Sequence, residues 1–155
     1  MTDARFHEAA GRPVRLWATD AEDLQVVSAL CQDSVLPASD MRFTQRDGRL
    51  ALLLNRFRWE NGTATPERVR SLLSVTEVTG VRGQGVVPGD PDTVLSLLSL
   101  DWVPSGEEGD TSGHLRLTFA GDGLVEAHCD CLDLTLTDVT RPHAAISGRA
   151  PSHDT

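Results

Sequence analysis

A strict two-residue alternation across residues 50–59 constrains the fold of this chain more than any other feature of its sequence. Read as a strand, the run places Leu50, Leu52, Leu54, Arg56 and Arg58 on one face and Ala51, Leu53, Asn55, Phe57 and Trp59 on the other. Further segments of this kind are predicted as strands: 14–18 at an edge, 41–45, 68–81, 94–103, and the hairpin 114–120 with 124–130.

One segment has helical spacing instead. Asp20 precedes an acidic first turn and is a candidate N-cap. Apolar residues then recur every three or four positions, which predicts a helix over 21–33. Pro37 prevents its continuation. Residues 131–139 fit either a helix or a strand, and Thr135 and Thr137 favour the strand.

These elements predict an α+β fold, with a mainly antiparallel, strongly bent sheet of about six strands and one N-terminal helix. A C-terminal helix over the bent sheet, as in pleckstrin-homology-like domains, is one way to close it. The length of 155 residues fits one domain. Because both ends are polar and without hydrophobic period, we expect a disordered tail over 1–13, a globular domain over 14–139 and a flexible tail over 140–155.

Composition excludes several function classes. The chain has 14 basic and 23 acidic residues, a formal net charge of -9, which argues against general nucleic-acid binding. Every basic residue is arginine, so chemistry that requires lysine, such as Schiff-base formation, is excluded. No segment has the length of a signal peptide or of a membrane span. Three cysteines do not form a secreted disulfide framework, and a reducing cytoplasm is the expected location.

An arginine cluster is the first candidate ligand site. Arg56 and Arg58 share one strand face, and Arg68 and Arg70 share a face of the strand predicted beside it. If the two strands pair, four guanidinium groups crowd one end of the sheet and can bind a carboxylate or a phosphate. The alternative is that these arginines are solvated and paired with nearby glutamates across strands.

Asn55 and Trp59 extend this candidate site on the opposite face. Asn55 lies on an apolar stripe, where a buried amide must be hydrogen-bonded, and it can orient a ligand against a wall formed by Phe57 and Trp59. The alternative is a core amide that ties down a neighbouring strand or loop.

Other polar residues favour structural readings. Asp33 at the helix end opposes the helix dipole, which suggests an internal partner such as an arginine. Cys129 and Cys131 do not have the spacing of a paired metal motif and are interpreted as packing residues. Glu126 and His128 alternate along one strand in the manner of a solvated face. We therefore expect no metal, no cofactor and no catalytic residue.

Two strings resemble a known family. Leu16-Trp17-Ala18-Thr19-Asp20 through Cys31-Gln32-Asp33-Ser34-Val35 resembles the opening of a mainly alphaproteobacterial family, domain of unknown function 2948. Its second and third signatures resemble Asn55-Arg56-Phe57-Arg58-Trp59-Glu60 and Leu115-Arg116-Leu117-Thr118-Phe119-Ala120-Gly121, and the resemblance covers about residues 14–143. It implies a single cytoplasmic domain and no assigned activity.

The sequence therefore favours a non-enzymatic protein-interaction or binding module that acts through a protein partner or by self-association. Trp59 and Trp102, near strand ends, are the expected anchors. The alternative is a sensor of a small anionic ligand that uses the arginine cluster. A hydrolase built on Asp33, His128 or Glu126 ranks third. No nucleic-acid or membrane partner is expected.

Overall fold

The structure is a computed structural model that describes residues 13–58, 67–87, 89–139 and 143–144. Its one α-helix, α1, spans Ala21–Cys31. The strands are β1 (Arg15–Ala18), β2 (Ser34–Pro37), β3 (Met41–Thr44), β4 (Arg49–Phe57), β5 (Glu67–Val75), β6 (Val78–Gln84), β7 (Val94–Pro104), β8 (Gly113–Phe119), β9 (Gly123–Cys129), β10 (Leu134–Asp138) and β11 (His143–Ala144).

Helix α1 begins where its sequence predicts. The Asp20 side chain accepts a hydrogen bond from the Asp23 amide at 2.7 Å, which satisfies one of the unpaired amides of the first turn. The helix ends at Cys31, two residues before the predicted end, because Asp33 adopts a left-handed conformation with φ of 64°. The Asp33 amide then donates to the Leu97 carbonyl at 2.8 Å, which directs the chain into β2.

All described strand pairs are antiparallel, and they form one sheet in the order β1-β10-β5-β4-β2-β7-β8-β9-β6. Strand β5 pairs with one edge of β4, and two strands share the other edge. Strand β3 pairs with the first half of β4, and β2 pairs with it at Asn55. Strand β11 pairs with β5 beyond the end of β10. A mainly antiparallel sheet with one helix is therefore confirmed.

The predicted strand number is wrong, because eleven described strands take part in the sheet rather than about six. The segment Ser34–Pro37 is too short to show a period in the sequence. The predicted strand 68–81 is two strands, because Glu77 adopts a left-handed conformation with φ of 60° and turns the chain between β5 and β6.

The strand interpretation of residues 131–139 is confirmed, since Leu134–Asp138 lies between β1 and β5. The pleckstrin-homology-like closure is not confirmed. The predicted N-terminal tail lies outside the described residues except for Pro13, and the predicted C-terminal tail lies outside them except for the pair 143–144.

The helix packs on the core face of the sheet, mainly against β7 and also against β1 and β4. Leu24, Val27 and Leu30 supply its buried apolar surface. Between Leu97 and Ser99 the register of β7 against β8 shifts. Next to this irregularity, the buried Ser28 hydroxyl accepts a hydrogen bond from the Leu100 amide at 2.9 Å, which joins the helix to the strand.

Replacing Ser28 by alanine is expected to lower the free energy of unfolding by about 1–3 kcal/mol, because the Leu100 amide is then left buried without its side-chain acceptor. Ser99→Ala on the same strand is the control, and it should change stability by less than about 0.5 kcal/mol. Urea denaturation followed by circular dichroism measures both. Equal effects of the two substitutions would contradict a structural role for the Ser28 bond.

Candidate functional site

The two faces of β4 carry different chemistry. The even-numbered residues from Leu50 to Arg58 are all buried, so both arginines continue the leucine stripe into the interior. The odd-numbered residues point to the opposite side, which we call the outer face, where Phe57 is fully buried while Ala51, Leu53 and Asn55 are half-buried. The alternation predicted from the sequence is thus correct, but the arginine-bearing face is the core face.

Arg56 is fully buried and its charge is neutralised inside the domain. Its Nη2 atom lies 3.1 Å from Oδ1 and 3.3 Å from Oδ2 of Asp138, and both side chains have 0% exposure. Its Nε donates to the Ser71 hydroxyl at 3.1 Å, and that hydroxyl donates to Asp138 Oδ1 at 2.6 Å. One guanidinium nitrogen therefore contacts both carboxylate oxygens, and these charge-assisted contacts stabilise the buried charge.

Asp138 also joins the two ends of the described domain. Its Oδ2 accepts a hydrogen bond from the Val14 amide at 2.7 Å, and its own amide donates to the Val14 carbonyl at 2.9 Å. The Cys31 thiol, in the last turn of α1, is close enough to interact electrostatically with both Arg56 and Asp138. Burial raises the pKa of Cys31 to about 12, with Arg56 opposing and Asp138 reinforcing the shift.

Arg58 has a similar but less buried partner. Its Nη1 lies 3.1 Å from Glu67 Oε2, and the side chains are 1% and 25% exposed. The Arg58 amide also donates to the Glu67 carbonyl at 2.9 Å. Arg56 and Arg58 thus both have carboxylate partners, and only Arg58 has the glutamate partner that the alternative interpretation expected. Both arginines are buried rather than solvated.

Arg68 and Arg70 lie on the other side of the sheet. They pair with Phe57 and Asn55 of β4, so the four guanidinium groups are divided two to a face rather than gathered at one site. Burial lowers the pKa of Arg68, and the nearby Asp33 carboxylate opposes that shift. This proximity supports the predicted internal partner for Asp33.

Asn55 occupies the junction of β4 with β2. Its backbone carbonyl accepts a hydrogen bond from Arg68 Nη1 at 3.4 Å, and its side-chain Oδ1 is buried without a hydrogen-bond partner among the described residues. The amide is therefore held in the sheet as a partly unsatisfied acceptor. Trp59, its predicted companion, lies outside the described residues.

The outer face of β1, β10, β5, β4 and β3 is strongly basic. Its described register positions carry five arginines, and two carboxylates from outside these strands lie beside it, Asp33 near Arg68 and Asp133 at Trp17. We call this surface the arginine face, and its arginines are Arg15, Arg42, Arg49, Arg68 and Arg70. Such a concentration of positive charge is unexpected on a chain with a net charge of -9.

Trp17 lies on the arginine face and is 66% exposed. Its indole Nε1 donates to Asp133 Oδ1 at 2.5 Å, and the other oxygen of Asp133 accepts from the Thr76 hydroxyl at 2.9 Å. The indole ring is thus exposed to solvent but fixed in orientation. The sequence predicts only an edge strand at Trp17, and the pairing of Trp17 with Thr135 is what locates it on this face.

Trp102, which the sequence predicts as an interface anchor together with Trp59, is half-buried and packs against the core. A Cβ atom at Gly113 would lie 2.6 Å from the Trp102 ring, so the glycine allows the ring to approach the neighbouring strand. Trp102 therefore presents less surface to a partner than Trp17 does.

The residues of the third-ranked hydrolase are far apart. Asp33 bonds to Leu97 near the start of β7, whereas His128 lies opposite His114, which pairs with Val103 near the other end of β7. Six residues of strand separate those positions, or roughly 20 Å. Glu126 lies opposite Arg116 in the register of β9 with β8.

A polar groove of about 590 Å³ lies at the start of β4, at the end of that strand away from Arg56 and Arg58. It lies between the turn before β4 and the corner between β5 and β6. Its lining includes Asp47, Glu77, Asp130 and Asp133. Within the described ranges, no three His, Cys, Asp or Glu side chains are arranged to hold a metal ion. The same part of the chain contains no helix whose length and hydropathy would suit it to crossing a bilayer.

Comparison with known proteins assigns the chain to a family. A model of the family described as "Protein of unknown function (DUF2948)" matches residues 14–153, and the chain belongs to that family. No curated protein and no solved structure matches the chain. The resemblance of the Leu16–Val35 and Asn55–Glu60 strings is therefore confirmed, and the family description names no activity.

Replacing Asp138 by asparagine is expected to lower the free energy of unfolding by about 3–5 kcal/mol, because the Arg56 charge stays buried without its counter-ion. The double substitution Arg56→Met with Asp138→Leu removes both charges and should recover much of the loss. Arg70→Met, at an exposed position of the adjacent strand, is the control. A double substitution no more stable than Asp138→Asn in urea denaturation would contradict this account.

The thiols are expected to differ in reactivity. Burial raises the pKa of Cys31 to about 12 and that of Cys129 to about 11, whereas the half-buried Cys131 remains in contact with solvent. Ellman's reagent at about pH 8 should therefore modify Cys131 alone in the folded protein. All three thiols should react in concentrated urea. Rapid reaction of Cys31 in the folded state would show that the helix end opens.

Proposed function

We propose that this family member is a non-enzymatic protein-interaction module, and that its arginine face binds an acidic segment of a partner protein. The observation that carries the proposal is the exposed Trp17, which Asp133 holds in a fixed orientation beside a surface with five arginines. Exposed tryptophan and arginine are the residues most often found at the energetic centre of an interface. Because the indole is already ordered, binding costs less conformational entropy.

Charge complementarity selects the kind of partner. The chain has a net charge of -9, so long-range repulsion disfavours acidic partners everywhere except at a locally basic surface. On the arginine face, guanidinium groups can form bidentate contacts with the carboxylates of a partner. An acidic segment that also carries an apolar side chain would satisfy both the arginines and Trp17.

The size of the arginine face favours a short segment over a large globular surface. Five strands at about 4.8 Å spacing span roughly 20 Å, and the nine residues of β4 span roughly 25–30 Å. The resulting area of roughly 500–600 Å² is an upper bound, because Phe57 at the end of β4 is covered, and it is smaller than the roughly 800 Å² that each partner buries in a standard interface. An extended peptide segment fits such a surface.

The alternative is a sensor of a small anionic ligand. Arg56 and Arg58 are buried on the core face, so such a ligand would have to bind on the outer face, at Arg68 and Arg70 beside Asn55. The buried Asn55 Oδ1 is an acceptor and does not favour an anion at that point. We therefore rank the sensor second. A cytoplasmic location, predicted from the three cysteines, and a globular domain over 14–139 are parts of the proposal.

Binding can be measured by fluorescence anisotropy with a labelled glutamate-rich peptide that contains leucine. Trp17→Ala should weaken binding about 30-fold, the equivalent of about 2 kcal/mol, through loss of the fixed indole. Arg70→Gln should weaken binding and reduce its dependence on salt, because fewer charges are screened. The control is Arg116→Gln, an exposed arginine on β8, away from the arginine face.

Equal affinities of Arg70→Gln and Arg116→Gln would overturn the proposal. Competition by inorganic phosphate or citrate at low concentration would favour the sensor, and tight binding of a single-stranded oligonucleotide would replace the acidic peptide as the partner class. Sedimentation of the isolated chain tests self-association. A dimer that Trp17→Ala disrupts would identify a second copy as the occupant of the face.

A further inference from the structure

A pair of histidines lies on the hairpin formed by β8 and β9, away from the arginine face. His114 and His128 are directly opposite each other in the antiparallel register. The Nε2 atom of His114 lies 3.1 Å from the Nδ1 atom of His128, with ring centroids 4.7 Å apart and ring planes tilted by 59°. His128 is exposed and His114 is half-buried, so the pair is open to solvent.

The facing nitrogens have the separation that two ligands of one metal ion need. Zinc binds imidazole nitrogen at about 2.0–2.1 Å, so two ligands at a tetrahedral angle are about 3.3 Å apart. Binding of one ion displaces the hydrogen atom shared by the two nitrogens and changes their separation by only roughly 0.2 Å. Each ring must also turn, because the ion lies to one side of the line that joins the two nitrogens. If both rings are neutral, that proton moves to the other nitrogen of its own ring, so neither ring needs to change its charge.

We propose that His114 and His128 form a bidentate site for a divalent transition-metal ion of the zinc type. Water molecules complete the coordination, because among the described residues no third His, Cys, Asp or Glu joins them in a ligand set. Imidazole nitrogen selects zinc, copper or nickel over magnesium and calcium, which prefer oxygen. The ion bridges two neighbouring strands and so stabilises the hairpin.

The surroundings of the pair favour a cation. The loop before β8 carries Glu107, Glu108 and Asp110, all exposed. Asp110 is held by the Ser112 amide, which donates to its Oδ1 at 2.9 Å. The negative charges of this loop directly precede the strand that carries His114, and they attract an approaching cation.

The site can be tested by titrating the full chain with zinc in competition with a chromophoric chelator. Wild type should bind one ion at this site, and His114→Ala and His128→Ala should each weaken that binding at least about tenfold, since outer-shell changes alone cost roughly 10–100-fold. Glu126→Gln is the matched control, because it lies two residues from His128 on the same face of β9 and removes a charge without removing a ligand.

Thermal unfolding gives a second measurement. Zinc should raise the melting temperature of wild type and of Glu126→Gln, and it should leave both histidine variants unchanged. Without zinc, all four proteins should unfold alike, which excludes a folding defect. Equal zinc affinity in wild type and His128→Ala would overturn the proposal and assign the ion to the other histidines of the chain, His7, His143 and His153. Absence of any zinc-dependent stabilisation would overturn it as well.

Discussion

The ion pair between Arg56 and Asp138 is the constraint on which the rest of the structure depends. A buried charge pair needs further hydrogen bonds to its unpaired atoms, and here Ser71 bonds to both partners while the Val14 amide donates to Asp138. Since a slip of one residue in the register of β4 would move Arg56 to the other face, the pair fixes that register as well. The position of every outer-face arginine on β4 and β5 follows from it.

The separation of the two arginine pairs follows from the same alternation. Arg56 and Arg58 face inward and have carboxylate partners, whereas Arg68 and Arg70 face outward on the neighbouring strand. One short region of sheet therefore uses arginine for two purposes. Inside, the planar guanidinium satisfies several acceptors at once, and outside it supplies positive charge on an acidic protein.

The sequence predicted what depends on local pattern. The cap at Asp20, the alternation of β4, the pairing of β4 with β5 and the hairpin of β8 and β9 all follow from residues close together in the chain. The burial of Arg56 was accessible too, because it continues the stripe of Leu50, Leu52 and Leu54. Its partner was not, because Asp138 is 82 residues away and no local rule joins them. The corner at Glu77 was missed because a left-handed conformation is uncommon for glutamate.

The bond between Asp138 and Val14 has a mechanical consequence. Because β1 and β10 are antiparallel neighbours, the entry of the chain into β1 and its exit from β10 lie side by side at one corner of the sheet. A pulling force applied at the two chain ends, as a processive unfoldase or an optical trap would apply it, therefore acts on that corner in unzipping geometry. Once the bonds of β11 to β5 have separated, the ladder bonds between β1 and β10 are loaded one after another rather than together in shear, beginning at the bonds between Val14 and Asp138.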